Sequence, residues 1–192
     1  MNLNRIIGLL TLVAMMYGAN QMSAAERKWI PVRDRIEQAE IFFPHHPIHM
    51  HFDFPVEKKE QQGFLDVYSA PIENGLFMFC SLYSPEFSGD ELAPSLFENI
   101  FYKSIIQRMF YRPQDFQNHQ TVSYEKMVMN GFPALNFSMS FEEHGVMKKL
   151  AGISILRDQK LTILFYLASE KDFNEELFHH YIDSFHFLEI NS

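Results

Sequence analysis

Cysteine is almost absent from this sequence. Its 192 residues include one, Cys80, so no internal disulfide can form and the apolar core must hold the fold. Cys80 lies in the run Leu76–Tyr83, which is apolar at positions that face both sides of a strand. A thiol in such a run is predicted to be an inert core residue rather than a nucleophile.

Basic residues are scarce as well. The chain has 16 Lys and Arg residues against 24 Asp and Glu residues, which gives a formal net charge of −8. An acidic chain without a basic cluster argues against binding to nucleic acid and to anionic membrane surfaces. Hydrophobic residues make up 47% and charged residues 21% of the sequence, and this balance excludes a disordered chain.

The familiar catalytic motifs are also missing. The sequence contains no G-x-S-x-G elbow and no glycine-rich phosphate loop, which are the local patterns that position a serine nucleophile or a bound phosphate. We therefore predict no catalytic residue. A hydrolase with an unrecognised site remains a third functional hypothesis.

The N-terminus has the three parts of a secretory signal peptide. Arg5 is the only charged residue before Glu26, the apolar stretch Ile6–Gly18 follows it, and the small-residue segment Met22–Ala25 comes next. This order is typical of a signal peptide. The apolar stretch is shorter than the roughly 20 residues that a membrane-spanning helix needs.

We therefore predict a signal peptide over residues 1–25 and a single mature domain over residues 26–192. Cleavage after Ala25 places Ser23 and Ala25 at the two small positions of the cleavage site, and cleavage after Ala24 is the alternative. The mature chain is expected to be exported to a periplasm or secreted. No membrane span is expected after cleavage.

The chain is organised around two apolar runs, Val146–Leu156 and Leu161–Ala168, joined by the polar break Arg157–Lys160. The second run is almost continuously apolar, β-branched or aromatic, which is typical of a strand buried on both faces. We predict an antiparallel hairpin at the centre of a sheet, with other elements packed over both faces.

Further strands are predicted before and after a first helix. Ile48–Phe54 alternates strictly between apolar and polar residues, as a strand with one buried face does. Two pairs, Asn74-Gly75 and Asn130-Gly131, predict tight hairpins because both residue types accept positive φ angles. The other predicted strands are Trp29–Val32, Ala39–Phe43, Phe64–Ala70, Leu76–Tyr83, Tyr124–Met129 and Phe132–Phe141.

Two amphipathic helices complete the predicted fold. The first begins near Asp90–Pro94 and runs to about Phe110. The second has Asp172 as its N-cap and Glu175 three residues later, as in a capping box, and the strand Phe185–Ile190 then returns to the sheet. We predict an α+β fold in which an antiparallel sheet of about six to eight strands is flanked by two main helices in an α/β/α sandwich.

Several short motifs resemble those of a known family. They are the segment Phe42–Pro47, which reads F-F-P-H-H-P, the segment Asn130–Ala134, which reads N-G-F-P-A, the run Leu161–Leu167, and the terminal Ser184–Phe187, which reads S-F-H-F. Their order resembles the PsbP-like family of exported α/β/α sandwich proteins. The resemblance implies a non-enzymatic accessory or binding role outside the cytoplasm, and it brings no catalytic or metal-binding residue with it.

The most distinctive polar feature is the alternation of His49, His51 and Asp53. Residues two apart in a strand share a face and lie roughly 6.7 Å apart, so two imidazoles and a carboxylate could converge on one ion. His45 or His46 could fold back from the preceding loop. Such a set suits zinc, copper or nickel better than calcium or magnesium. The alternative is the solvated polar face of an edge strand.

The leading functional hypothesis is an exported, soluble accessory or binding protein of the periplasm or cell envelope, with a protein as its partner. The runner-up is a periplasmic metal-binding protein that uses His49, His51 and Asp53. No cofactor is expected under the first hypothesis, and a divalent transition metal is expected under the second. Neither hypothesis predicts the oligomeric state.

Overall fold

The structure is a computed structural model that describes residues 28–34, 38–55, 62–83, 120–143 and 145–188. The predicted signal peptide over residues 1–25 and the predicted helix over residues 90–110 lie outside the described residues. No helix of the described part is long and apolar enough to cross a membrane.

Seven antiparallel strands form the main sheet, in the spatial order β3-β4-β5-β9-β8-β7-β6. The antiparallel prediction is confirmed for each pair of neighbouring strands, and the register of β6 against β7 shifts between Gln120 and Val122. The strands are β3 (Ile48–Pro55), β4 (Gln62–Ile72), β5 (Gly75–Tyr83), β6 (Gln120–Met129), β7 (Phe132–Glu143), β8 (Val146–Arg157) and β9 (Lys160–Ser169).

The hairpin of β8 and β9 lies near the middle of this sheet, as predicted, and β9 is buried along almost its whole length. Its side chains alternate between two apolar clusters, with Ile163 and Phe165 on one face of the sheet and Leu164 and Tyr166 on the other. A strand that contributes to two cores cannot show a polar face, which explains the unbroken apolar run in the sequence.

The face that carries Leu164 and Tyr166 is covered by a small second sheet and one helix. The second sheet has the order β1-β2-β10, with β1 over Ile30–Asp34, β2 over Ala39–Phe43 and β10 over His186–Phe187. The helix α1 (Glu175–Asp183) buries its apolar side on the same cluster. The described part is therefore mostly β-sheet with one α-helix, and a two-helix α/β/α sandwich is too helical a description of it.

The C-terminal elements differ from the prediction in two details. Asp172 belongs to a 3-10 turn, Glu170–Asp172, and the N-cap of α1 is Asn174, whose side chain accepts a hydrogen bond from the Leu177 amide at 3.0 Å. The predicted final strand is short and pairs with β2 rather than with the main sheet. Burial of Phe185 in the apolar cluster under the helix holds the chain there.

The two Asn-Gly pairs behave differently. Asn130 and Gly131 have φ angles of 52° and 83°, so the β6–β7 hairpin is the positive-φ turn that the sequence predicts. The tight β4–β5 hairpin also forms as predicted, with Ile72 paired to Gly75, but neither Asn74 nor Gly75 has a positive φ, so the physical reason given for it is wrong. Gly75 starts β5 instead, where a Cβ atom would lie 2.6 Å from the Leu167 carbonyl oxygen. Glycine is required there by a close approach of two strands.

Candidate functional site

The three residues predicted to bind a metal lie on edge strand β3, where they face away from Met50 and Phe52. Their side chains are partly accessible, with exposed fractions of 46% for His49, 43% for His51 and 64% for Asp53. Strand alternation therefore produces a polar face at the sheet edge, as the sequence predicts. The apolar residues of β3 pack against the first core cluster and hold this face in place.

A fourth residue, Asp66 on β4, organises this face. It pairs directly with His51 across the two strands and is only 2% exposed. Its Oδ1 atom lies 2.8 Å from His49 Nε2 and 2.9 Å from His51 Nδ1, while its Oδ2 atom is buried without a hydrogen-bond partner. A carboxylate can only accept hydrogen bonds, so each of these two imidazole nitrogens donates to Asp66.

Sequence reasoning missed Asp66. A single acidic residue in the otherwise apolar run Phe64–Ala70 was the available signal, since a buried carboxylate needs partners. Assigning those partners required the register of β3 against β4, which local patterns do not provide.

Of the three predicted residues His49, His51 and Asp53, only His51 and Asp53 contact each other directly. His51 Nε2 lies 3.2 Å from Asp53 Oδ1, while His49 is linked to His51 through the Asp66 oxygen. Within the described ranges, no group of three or more His, Cys, Asp or Glu side chains could hold a metal ion. His45 is directed elsewhere, because its Nε2 atom lies 2.6 Å from the Pro71 carbonyl oxygen.

Aromatic rings fix the orientation of both imidazoles. The His49 ring stacks on Tyr68 with a centroid separation of 4.2 Å and an interplanar angle of 6°. The His51 ring lies 6.3 Å from the Phe64 ring, which in turn stacks on Tyr83 at 4.8 Å. Rings held in this way lose little further freedom on meeting a ligand, so the site is preorganised.

Asp66 also begins a buried polar row that crosses the sheet. Consecutive strands pair Asp66 with Ser81 and Ser81 with Thr162. Both hydroxyl residues are almost fully buried. Small hydroxyl side chains beside a buried carboxylate keep this part of the sheet polar.

Cys80 lies on the opposite face of the sheet and is buried, as the sequence predicts. Burial raises the pKa of its thiol to about 12. The thiolate required of a nucleophile is therefore not populated at neutral pH.

The charge on His51 is coupled to folding. Its hydrogen bond to Asp66 raises the pKa of His51 above the ordinary value of about 6.5, partial burial opposes the shift, and Asp53 adds to it. Protonated His51 donates to Asp66 and Asp53 together, whereas neutral His51 can donate to only one of them. The folded state therefore binds this proton more tightly than the unfolded state does.

We expect the stabilisation from His51 to be complete below about pH 6.5 and to be lost as the pH rises through the higher folded-state pKa. Because the side chain is 43% exposed, the difference should be below about 1 kcal/mol. Urea unfolding of the wild type and His51→Gln at about pH 6 and about pH 8.5 measures it. An equal difference between the two proteins at both pH values would contradict the coupling.

Comparison with known proteins gives similarity at the level of structure. No protein-family model matches the chain, and no curated protein matches it. The solution structure of cyanobacterial PsbP from Synechocystis is similar with a TM-score of 0.49 and 13% identity, over 90% of this chain and 98% of that one. A PsbP protein is therefore among the structures that this fold resembles, as the sequence motifs indicated.

Two further structures are similar. One is PA94 from Pseudomonas aeruginosa, described as a protein of unknown function and putative regulator, with a TM-score of 0.35 and 10% identity over 75% of this chain and 85% of that one. The other is LpqN from Mycobacterium tuberculosis, described as involved in cell envelope biogenesis, with a TM-score of 0.36 and 11% identity over 90% of this chain and all of that one. These similarities concern the fold alone.

Proposed function

We propose that this chain is an accessory protein of the cell envelope, outside the cytoplasm, that acts by binding a partner protein. The N-terminal pattern of charge, apolar stretch and small residues supports export. The acidic composition favours a protein over nucleic acid or an anionic membrane as the partner. The observation that carries the proposal is the exposed edge strand β6.

Strand β6 is an edge of the seven-stranded sheet, and six consecutive residues from Ser123 to Val128 are exposed on both of its faces. Three of them are large and apolar, with exposed fractions of 70% for Val128, 43% for Tyr124 and 37% for Met127. Its only strand neighbour within the described residues is β7. An edge strand with exposed apolar side chains is a template for pairing with another chain.

The occupant that fits this edge is an extended segment of a different protein, added as an eighth strand. Main-chain hydrogen bonds along β6 would supply affinity, and alternate side chains of the segment would meet Tyr124 and Val128 on one face. Glu125 and Lys126 restrict self-association, because pairing two copies about either residue places like charges opposite each other.

We expect Val128→Lys to weaken binding of the partner at least about ten-fold, because the added charge must be desolvated at the interface. Its effect on the free energy of unfolding should stay within about 0.5 kcal/mol, since the side chain is 70% exposed. Val146→Lys is the matched control, because Val146 is also an exposed valine but lies on β8.

The test is quantitative capture from envelope extracts, followed by titration of the captured protein in purified form. The proposal requires one protein that binds the wild type and Val146→Lys but not Val128→Lys. Equal capture by all three proteins would overturn it. Self-association of the wild type that Val128→Lys abolishes would assign β6 to a second copy instead, and would also overturn it.

A further inference from the structure

We propose that His51 and Asp53 bind one divalent transition-metal ion of the Zn²⁺ type on edge strand β3, and that Asp66 positions the imidazole for it. This site is at the opposite edge of the sheet from β6. It is therefore independent of the partner surface and can be tested separately.

The contact between His51 and Asp66 determines which nitrogen of the His51 ring carries the hydrogen. Because Asp66 Oδ1 accepts from His51 Nδ1 at 2.9 Å, a neutral His51 carries its hydrogen on Nδ1. The Nε2 atom of His51 then carries a lone pair, and Asp53 Oδ1 lies 3.2 Å from it. Two acceptors at this distance repel each other unless a cation lies between them. A proton or a metal ion can fill that role.

The separation of the two atoms suits a metal ion. Zn²⁺ binds imidazole nitrogen and carboxylate oxygen at about 2.0–2.2 Å with tetrahedral angles, which places two such ligands roughly 3.3–3.6 Å apart. The observed 3.2 Å between His51 Nε2 and Asp53 Oδ1 is within a few tenths of an ångström of this value. This separation therefore requires only a small movement of the two side chains to admit the ion.

The exposure of the two side chains and the types of their ligand atoms indicate which ions the site can bind and how tightly. His51 and Asp53 are 43% and 64% exposed, so an ion can reach both atoms and water can complete its coordination. Two protein ligands are fewer than the three or more that a closed centre contains, and moderate rather than tight binding is expected. The imidazole nitrogen favours Zn²⁺, Cu²⁺ or Ni²⁺ over Ca²⁺ and Mg²⁺.

Asp66 supplies the support that such a ligand needs. Histidines that bind metals usually donate their other ring hydrogen to a carboxylate, which fixes the tautomer and raises the basicity of the metal-binding nitrogen. Asp66 does this from a position that is 2% exposed and directly opposite His51. Its second oxygen is buried without a hydrogen-bond partner among the described residues, an arrangement that costs free energy.

The test is a Zn²⁺ titration of the untagged protein at about pH 7.5, followed by NMR of the histidine ring signals. We expect a saturable one-to-one shift of the His51 signals. His51→Gln and Asp53→Asn should each weaken binding at least about ten-fold, and Asp66→Asn by about 10–100-fold. His179→Gln is the control, since His179 is an exposed histidine on α1.

Three results would overturn the proposal. The first is the absence of saturable binding in the millimolar range. The second is a loss of affinity in His179→Gln as large as that in His51→Gln, which would indicate general histidine binding at the surface. The third is an equally large loss in His49→Gln, because His49 is placed outside the coordination of the ion. Asp53 is 64% exposed, so Asp53→Asn tests the site without risk to the fold.

Discussion

Phe77→Ala should lower the free energy of unfolding by about 4 kcal/mol. Phe77 is fully buried on β5, and its ring lies at the centre of an aromatic group. Ring centroids of Trp29, Tyr166 and Tyr181 lie 5.6, 4.5 and 4.9 Å from it. These residues belong to the main sheet, the helix and the N-terminal segment, so the cavity would be shared by three elements that cannot all move into it.

Trp29 makes the result easy to measure. It is the only tryptophan of the chain and contacts Phe77 directly, so its fluorescence reports the packing of this layer. Urea unfolding followed by fluorescence and by circular dichroism gives the free energy from two signals. A loss of about 4 kcal/mol is a large part of the total of 5–15 kcal/mol typical of a domain.

Phe64→Ala is the matched control for this experiment. Phe64 stacks on Tyr83 at 4.8 Å but is partly exposed near the start of β4. The same truncation there removes less buried surface and leaves no closed cavity, so the expected loss is about 1 kcal/mol. Equal losses for the two variants would contradict the assignment of Phe77 to the centre of the core.

The sequence predicts the main sheet well because its signals are local. The run Leu161–Ala168 is apolar on both faces of the strand except at Thr162, and β9 occupies Lys160–Ser169. The strict alternation of Ile48–Phe54 likewise places its histidines on one face. Hydrophobic periodicity determines which face each residue takes before any tertiary contact is known.

The candidate site was predictable only where it depends on one strand. His51 and Asp53 are two residues apart on β3, and their 3.2 Å contact follows from strand geometry. The role of Asp66 depends on the register between β3 and β4, which the packing of both strands determines. The same register places His49 within hydrogen-bond distance of Asp66. Spacing along β3 therefore predicted that His51 and Asp53 lie together, but it did not predict the contact of His51 with Asp66 on β4.

Gly152→Ala should lower the free energy of unfolding by about 3 kcal/mol. Glycine in a strand normally weakens the folded state, and replacement by alanine at a compatible site gains about 0.4–1 kcal/mol. At Gly152 an added Cβ would lie against the Leu164 carbonyl oxygen, 2.6 Å from Phe137 Cζ and 2.8 Å from Phe165 Cβ. Rotation of the Phe137 ring does not relieve the contact, because Cζ lies on the rotation axis and the side chain is buried, and a backbone carbonyl in the β8–β9 pairing cannot move alone.

The free-energy cost of overpacking at Gly152 therefore exceeds the gain from the lower backbone entropy of the unfolded chain. Replacement by alanine destabilises the protein here instead of stabilising it. Gly145→Ala separates this contact from the general effect of losing a glycine. Gly145 has a φ of 76° in an open turn with nothing within 4 Å of an added Cβ, so only the strain of positive φ applies, about 1 kcal/mol. Urea unfolding measures both variants, and a Gly152→Ala protein as stable as the wild type would mean that β8 and β9 are not held at this distance.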